Sequence, residues 1–153
     1  MKKKLKILGS LLVVAFILIQ FYPMEKPLAS VENPNDLLQN NKVQKNVALI
    51  LKSACYDCHS NTSEFPWYSS IAPAKWLVYN HINEGREELN FSEWNTLEKD
   101  DKAELLDDIS SVILDGEMPI KGYTFLHSKA NLTETDRKAI LKWTDRMLDS
   151  LYE

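Results

Sequence analysis

Cys55-Tyr56-Asp57-Cys58-His59 holds both cysteines of this chain and has the form C-x-x-C-H. That spacing reads as attachment of a c-type haem. Two thiols add to the two vinyl groups of haem, one from each end of a short turn. The adjacent His59 then reaches under the ring and binds iron through Nε2. Both cysteines are used and there is one such motif, so one covalent haem c with its iron is expected. Three other readings share these residues. A thioredoxin-like redox pair wants a βαβ context, and no stretch here alternates with period two. A zinc site would draw on Cys55, Cys58 and two of the three histidines, without a second cysteine pair or an H-x₃₋₅-H spacing. A disulfide would close a very small loop and leave His59 without a role.

Working outward from the motif, the pattern is helical. Val43, Val47, Ile50, Leu51 and Ala54 recur at helical spacing and run into Cys55. Ser60 to Ala72 has no period, contains Pro66 and reads as a loop. Pro73 suits a first helical position and Gly85 the position past a last turn, with Ala74, Leu77, Val78, His81 and Ile82 between them. Asn90 to Trp94 reads as a turn with Ser92 as N-cap. Leu105, Ile109, Val112 and Ile113 mark a helix stopped by Gly116 and Pro119. Leu132-Thr133-x-x-Asp136 resembles a capping box ahead of Ile140, Trp143, Thr144, Met147 and Leu151. The expected fold is all-α: a small cytochrome c-like helical domain over residues 42–153, its first and last helices packed together.

An iron held by His59 has a sixth position. Met118, His81 and His127 are its candidates. Met118 is favoured because it sits in Gly116-Glu117-Met118-Pro119, just past a helix end, and a thioether is a soft ligand suited to haem iron. His81 lies on an apolar stripe and reads as a core histidine. His127 lies in a loop, where a propionate or a carbonyl is its expected partner. Trp67 and Tyr68, with polar tips, and Arg86, with its fork, are the candidates for haem propionates.

The chain opens with Lys2, Lys3, Lys4 and Lys6, followed by an apolar run from Ile7 to Tyr22 broken by Gly9, Ser10 and Gln20. Those residues would span about 24 Å as a helix. Residues 1–24 are therefore expected to be a signal peptide or membrane anchor, and residues 25–41 a linker. The uncleaved anchor is favoured, because Pro27-Leu28-Ala29-Ser30 makes a poor cleavage site. A basic flank stays cytoplasmic, which puts the body in the periplasm, held at the inner membrane. The chain has 153 residues, 44% hydrophobic and 26% charged, enough for one packed domain. From Glu25 onward 14 basic residues face 22 acidic ones, which excludes nucleic acid as a partner.

Longer blocks carry a resemblance. They are Cys55-Tyr56-Asp57-Cys58-His59-Ser60-Asn61, Phe65-Pro66-Trp67-Tyr68-Ser69-Ser70-Ile71-Ala72-Pro73, Trp76-Leu77-Val78, His81-Ile82-Asn83-Glu84-Gly85-Arg86 and Leu89-Asn90-Phe91-Ser92-Glu93-Trp94. Gly116-Glu117-Met118-Pro119 and His127 with Lys129-Ala130-Asn131-Leu132-Thr133 close the series. Over residues 43–148 the chain resembles the bacterial haem-binding domain family of c-type cytochromes. Phe65 stands where that family often has Trp, and Ile120 where it often has a second Pro. The resemblance implies covalent haem at Cys55 and Cys58, His59 as proximal ligand and Met118 as distal ligand. The expected function is single-electron transfer by a mono-haem cytochrome among redox partner proteins, without enzyme activity. The alternatives are a haem-based peroxidase or gas sensor whose sixth site opens, and a haem-containing interaction module of a larger redox complex.

Overall fold

A computed structural model describes residues 2–30, 32–40 and 43–153. Its helices are α1 (Lys2–Gln20), α2 (Leu37–Asn40), α3 (Lys45–Ala54), α4 (Tyr56–His59), α5 (Ala74–Glu88), α6 (Lys99–Leu114), α7 (Lys121–Leu126) and α8 (Glu134–Tyr152). Single 3₁₀ turns cover Trp67–Ser70, Phe91–Thr96 and Ser128–Ala130, and no strand occurs among the described residues. The C-x-x-C-H motif is thus one helical turn, α4, between α3 and the loop that leads to α5.

The apolar stripes determine the packing. α3 buries Val47, Leu51 and Ala54, α6 buries Leu106, Ile109 and Ile113, and α8 buries Ile140, Trp143 and Thr144. Residues three or four apart share a helix face, so each helix presents one apolar stripe to the centre. There α6 lies along α8, and α3 packs on both α8 and α4. Leu37, Tyr56, Phe91 and Trp94 complete the core. Polar ties cross the α6–α8 contact. The Ser110 and Thr144 hydroxyls are 2.7 Å apart, and Arg137 Nη1 donates to the Ile113 carbonyl at 2.8 Å.

The capping box at the start of α8 is present as read. Thr133 Oγ1 accepts from the Asp136 amide at 3.2 Å, and Asp136 Oδ2 accepts from the Thr133 amide at 2.9 Å. Thr133→Ala removes the cap and is expected to cost about 1 kcal/mol. A lower urea midpoint with an unchanged slope is the result to look for.

Two helix boundaries differ from expectation. α5 starts one residue after Pro73 and runs through Gly85 to Glu88. The cap ahead of Trp94 is Asn90, whose side chain accepts from the Ser92 amide at 3.1 Å. Ser92 is instead buried, accepting from the Asn61 amide at 2.9 Å and donating to Asp36 Oδ2 at 3.3 Å.

The N-terminal reading is corrected. Among the described residues no helix is long and apolar enough to cross a membrane. α1 is a helix, but four of its first five residues are lysines. The apolar remainder from Ile7 to Ile19 covers only about 20 Å, against a hydrocarbon core of about 30 Å. The end of α1 is tied to the body: Gln20 accepts from the Ala72 amide at 2.9 Å and donates to the Ala72 carbonyl at 3.1 Å. Tyr22 meets Trp76 edge-on at 5.6 Å. A membrane-spanning signal-anchor helix, membrane attachment through it and an inner-membrane location for the body held by it are therefore withdrawn. The all-helical body remains.

Residues 25–41, read as linker, also engage the body where they are described. The Ser30 amide donates to the Asn61 carbonyl at 2.7 Å, and Leu37 is fully buried. Asp36, 5% exposed, accepts from Tyr56 Oη at 3.0 Å and from the Leu38 amide at 2.8 Å. The expected start of the body at residue 42 lies outside the described residues.

Candidate functional site

Three of the residues singled out in the sequence line one cavity of about 300 Å³: Cys55, His59 and Met118. Its walls are the stripes of three helices, with Leu51 and Ala54 from α3, Leu105, Ile109, Val112 and Ile113 from α6, and Ile140 from α8. Phe91 and Leu89 close it from the segment after α5, and Glu88, Asp108 and Ser111 supply its polar lining. The stripes had been legible as core faces. That they leave a slot between them follows from how the helices converge.

His59 is held as a metal-binding imidazole should be. Its Nδ1 lies 3.1 Å from the Leu89 carbonyl. A carbonyl oxygen only accepts, so Nδ1 carries the proton and Nε2 keeps its lone pair. Such a hydrogen bond from the far nitrogen fixes tautomer and ring orientation. Burial holds the imidazole below its ordinary pKa, against the opposing pull of the Leu89 and Gly85 backbones. A neutral ring is the form that ligates. The Phe91 ring meets His59 edge-on at 6.4 Å and stacks on Tyr56 at 5.1 Å.

Burial, with Cys58 adding to it, pushes the Cys55 thiol up to about 12. Burial and then Asp57 push Cys58 up to about 11, with Arg86 opposing. Burial thus disfavours a free thiolate at both positions. Among the described residues no three His, Cys, Asp or Glu side chains converge as a metal site. An apolar slot with one imidazole, one thioether and one cysteine on its walls suits the donor chemistry of haem. The residues present fit that group.

Met118 reaches the slot because α6 ends there. Gly116 has φ +70°, and the Glu117 amide returns to the Val112 carbonyl at 3.0 Å. This is the closure of a Schellman motif, which favours glycine at the left-handed position. The Met118 amide follows it to the same carbonyl at 3.3 Å.

Gly85 proves to be a contact residue. A Cβ there would meet the Cys58 carbonyl oxygen at 3.0 Å and the Cys58 Cβ at 3.2 Å. α5 can lie against the C-x-x-C-H turn only because that position lacks a side chain. Alanine gains about 1 kcal/mol of helix propensity, but crowding against backbone costs about 1–3 kcal/mol. Gly85→Ala is therefore expected to lower the urea midpoint and reduce haem loading together.

The other expected residues lie elsewhere. Cys58 lines a second cavity of about 110 Å³, with Tyr68, His81, Ile120, Tyr123 and His127. Arg86 donates from Nε to the Ser60 carbonyl at 2.8 Å and from Nη2 to Ser63 Oγ at 2.9 Å, clasping the loop that follows His59. Trp67 is 79% exposed and meets Tyr68 edge-on. His127 Nδ1 faces the Tyr123 carbonyl at 3.1 Å and so donates, which leaves Nε2 to accept from Tyr68 Oη at 3.2 Å. Both its nitrogens are engaged. Cys58, Trp67, Tyr68, Arg86, His81 and His127 do not line the slot that holds Cys55, His59 and Met118. Sequence reasoning passed over Leu89, which acts through a backbone carbonyl and has no side-chain signature. It also passed over Asp57, which accepts from Tyr123 Oη at 2.6 Å.

No curated protein and no solved structure matches the chain. A family profile does: that of the haem-binding domain, over residues 14–146. The match begins inside α1 and takes in the segment that ties Gln20, Ser30 and Asp36 to the body. Spanning most of the sequence and enclosing the C-x-x-C-H turn, the slot and the Met118 loop, it shows that this chain belongs to the haem-binding domain family.

Proposed function

We propose that this chain is a mono-haem c-type cytochrome that carries single electrons between redox proteins. The observation that carries the reading is the one apolar slot shared by Cys55, His59 and Met118. Cys55 and Cys58 would hold the group by thioether bonds, and His59 and Met118 would supply its iron with an imidazole and a thioether. Bound there, haem supplies a one-electron ferric/ferrous couple. The chain's own part is to position and to shield. The Leu89 carbonyl orients His59, and the last turn of α6 presents Met118. Leu51, Ile109, Ile113 and Ile140 exclude water, which favours the less charged ferrous state and raises the potential. An iron that both His59 and Met118 would ligate would have no open position for a substrate, which is why we read a carrier rather than an enzyme.

The test is a redox titration of the matured holo-protein followed by optical and EPR spectra. A single one-electron wave, about 59 mV per decade, and a low-spin ferric state are expected. A high-spin ferric protein that reacts rapidly with peroxide would overturn the carrier reading in favour of a haem enzyme.

A further inference from the structure

Met118 and Tyr123 are near in sequence but serve different cavities. Met118 lines the slot with Cys55 and His59. Tyr123, on α7, lines two other cavities together with Asp57, a variable position of the C-x-x-C-H turn. The Tyr123 hydroxyl donates to Asp57 Oδ2 at 2.6 Å, and Asp57 Oδ1 accepts from the Glu64 amide at 3.0 Å. A hydroxyl-to-carboxylate bond of that length belongs to the strong, charge-assisted class. Between the two residues, Ile120 and Gly122 line the cavity that Cys58 also lines. The segment therefore wraps from the Met118 side of the slot to the outer side of the proximal turn.

What holds this strap is polar. α7 has six residues and buries none of them, and Phe125 and Leu126 are exposed. A helix that short does not persist on its own propensity. Upstream, the strap hangs from the Val112 carbonyl at the end of α6. Downstream, its ties are Tyr123 to Asp57, Tyr68 to His127, and Asn131 Nδ2 to the Thr124 carbonyl at 3.3 Å. Only the Tyr123 bond ends on the motif that carries the proximal ligand.

We propose that Tyr123 is a positioning residue: through its hydrogen bond to Asp57 it fastens the distal-ligand strap to the proximal-ligand turn and sets how firmly Met118 is held. This rests on the reading of Met118 as distal ligand. When the bond is cut, the strap keeps its α6 anchor and loses the nearest tie on the other flank. Met118 then samples more positions and yields its place to a competing ligand more readily.

The experiment uses matured holo-protein and the variants Tyr123→Phe, Asp57→Asn, their double variant, Met118→Ala and Thr133→Ala. Imidazole binding to the ferric form is timed, the near-infrared sulfur-to-iron band is recorded, and amide exchange is measured over residues 117–124. Tyr123→Phe is expected to speed imidazole binding and strap exchange about tenfold, the scale of losing a hydrogen bond to a charged group. Asp57→Asn takes the charge out of the same bond and should act in the same direction but more weakly, and the double variant should add little to Tyr123→Phe, which has already removed the bond. Thr133→Ala lowers stability away from the strap and should leave both rates at wild type. If Tyr123→Phe loses its helical circular dichroism, Asp57→Asn decides. Rates in both strap variants no faster than in Thr133→Ala overturn the proposal while the sulfur band, present in wild type and lost in Met118→Ala, leaves the ligand reading standing. A wild type without the band overturns the ligand reading and the proposal with it.

Discussion

Met118→Ala is expected to erase the near-infrared sulfur-to-iron band of the ferric holo-protein and to lower its midpoint potential by on the order of 0.1 V, within the ~0.8 V range that axial ligands command. The direction follows from ligand chemistry. A thioether favours the reduced metal, so a site without it sits lower. The size depends on whether another side chain can step in, and the structure argues that none does. Among the described residues the slot is lined by one histidine and one methionine. His127 has both ring nitrogens engaged, by the Tyr123 carbonyl and by Tyr68, and His81 lines the separate cavity beside Cys58. The opened position should therefore take solvent or an added ligand. Imidazole should bind to the ferric form, and carbon monoxide to the ferrous form, faster than in wild type. His81→Ala and His127→Ala should keep the band. A wild-type spectrum of bis-histidine type, or a Met118→Ala protein indistinguishable from wild type, would refute the assignment.

The second large effect concerns attachment. Wild-type protein matured by a cytochrome c assembly system should retain its haem through denaturation and acid–organic extraction. The double variant Cys55→Ser, Cys58→Ser should release all of it, and each single variant should keep one thioether and resist extraction. The double variant should also be the least stable of the series. A domain of this size relies on its cofactor for core volume, and a group bound only to the folded state stabilises that state. Complete release of haem from matured wild type, or recovery of zinc in its place, is the result that sinks covalent attachment.

Several elements were legible before any coordinates, and for local reasons. The stripes of α3, α6 and α8 follow from a period of 3.6 residues. The box at Thr133 and Asp136 is formed by side chains three positions apart, and the stop at Gly116 by a backbone conformation that glycine supplies. The Ser92 and Gly85 readings went astray for a related reason. Each had a local role, cap or helix stop, but a neighbour distant in sequence claimed the residue first. Asp36 and Asn61 take up Ser92, and the Cys58 backbone lies against Gly85. Hydropathy misled at the N-terminus because a run of apolar residues is not yet a span. The lysines belong to the same helix, and Gln20 is bonded to Ala72.

The sequence by itself determined the helical class and displayed the C-x-x-C-H spacing, because each depends on residues within a few positions of one another. Only the tertiary structure decided the rest. The convergence of α3, α6 and α8 leaves a slot that admits Cys55, His59 and Met118, and leaves Cys58, Trp67, Tyr68, Arg86, His81 and His127 outside its walls. The Leu89 carbonyl orients the His59 imidazole, and Tyr123 reaches back to Asp57. Those relations join residues tens of positions apart or pass through backbone atoms that every residue carries. Periodicity and spacing report which face of a helix is apolar, whereas what stands opposite that face is a property of the packed chain.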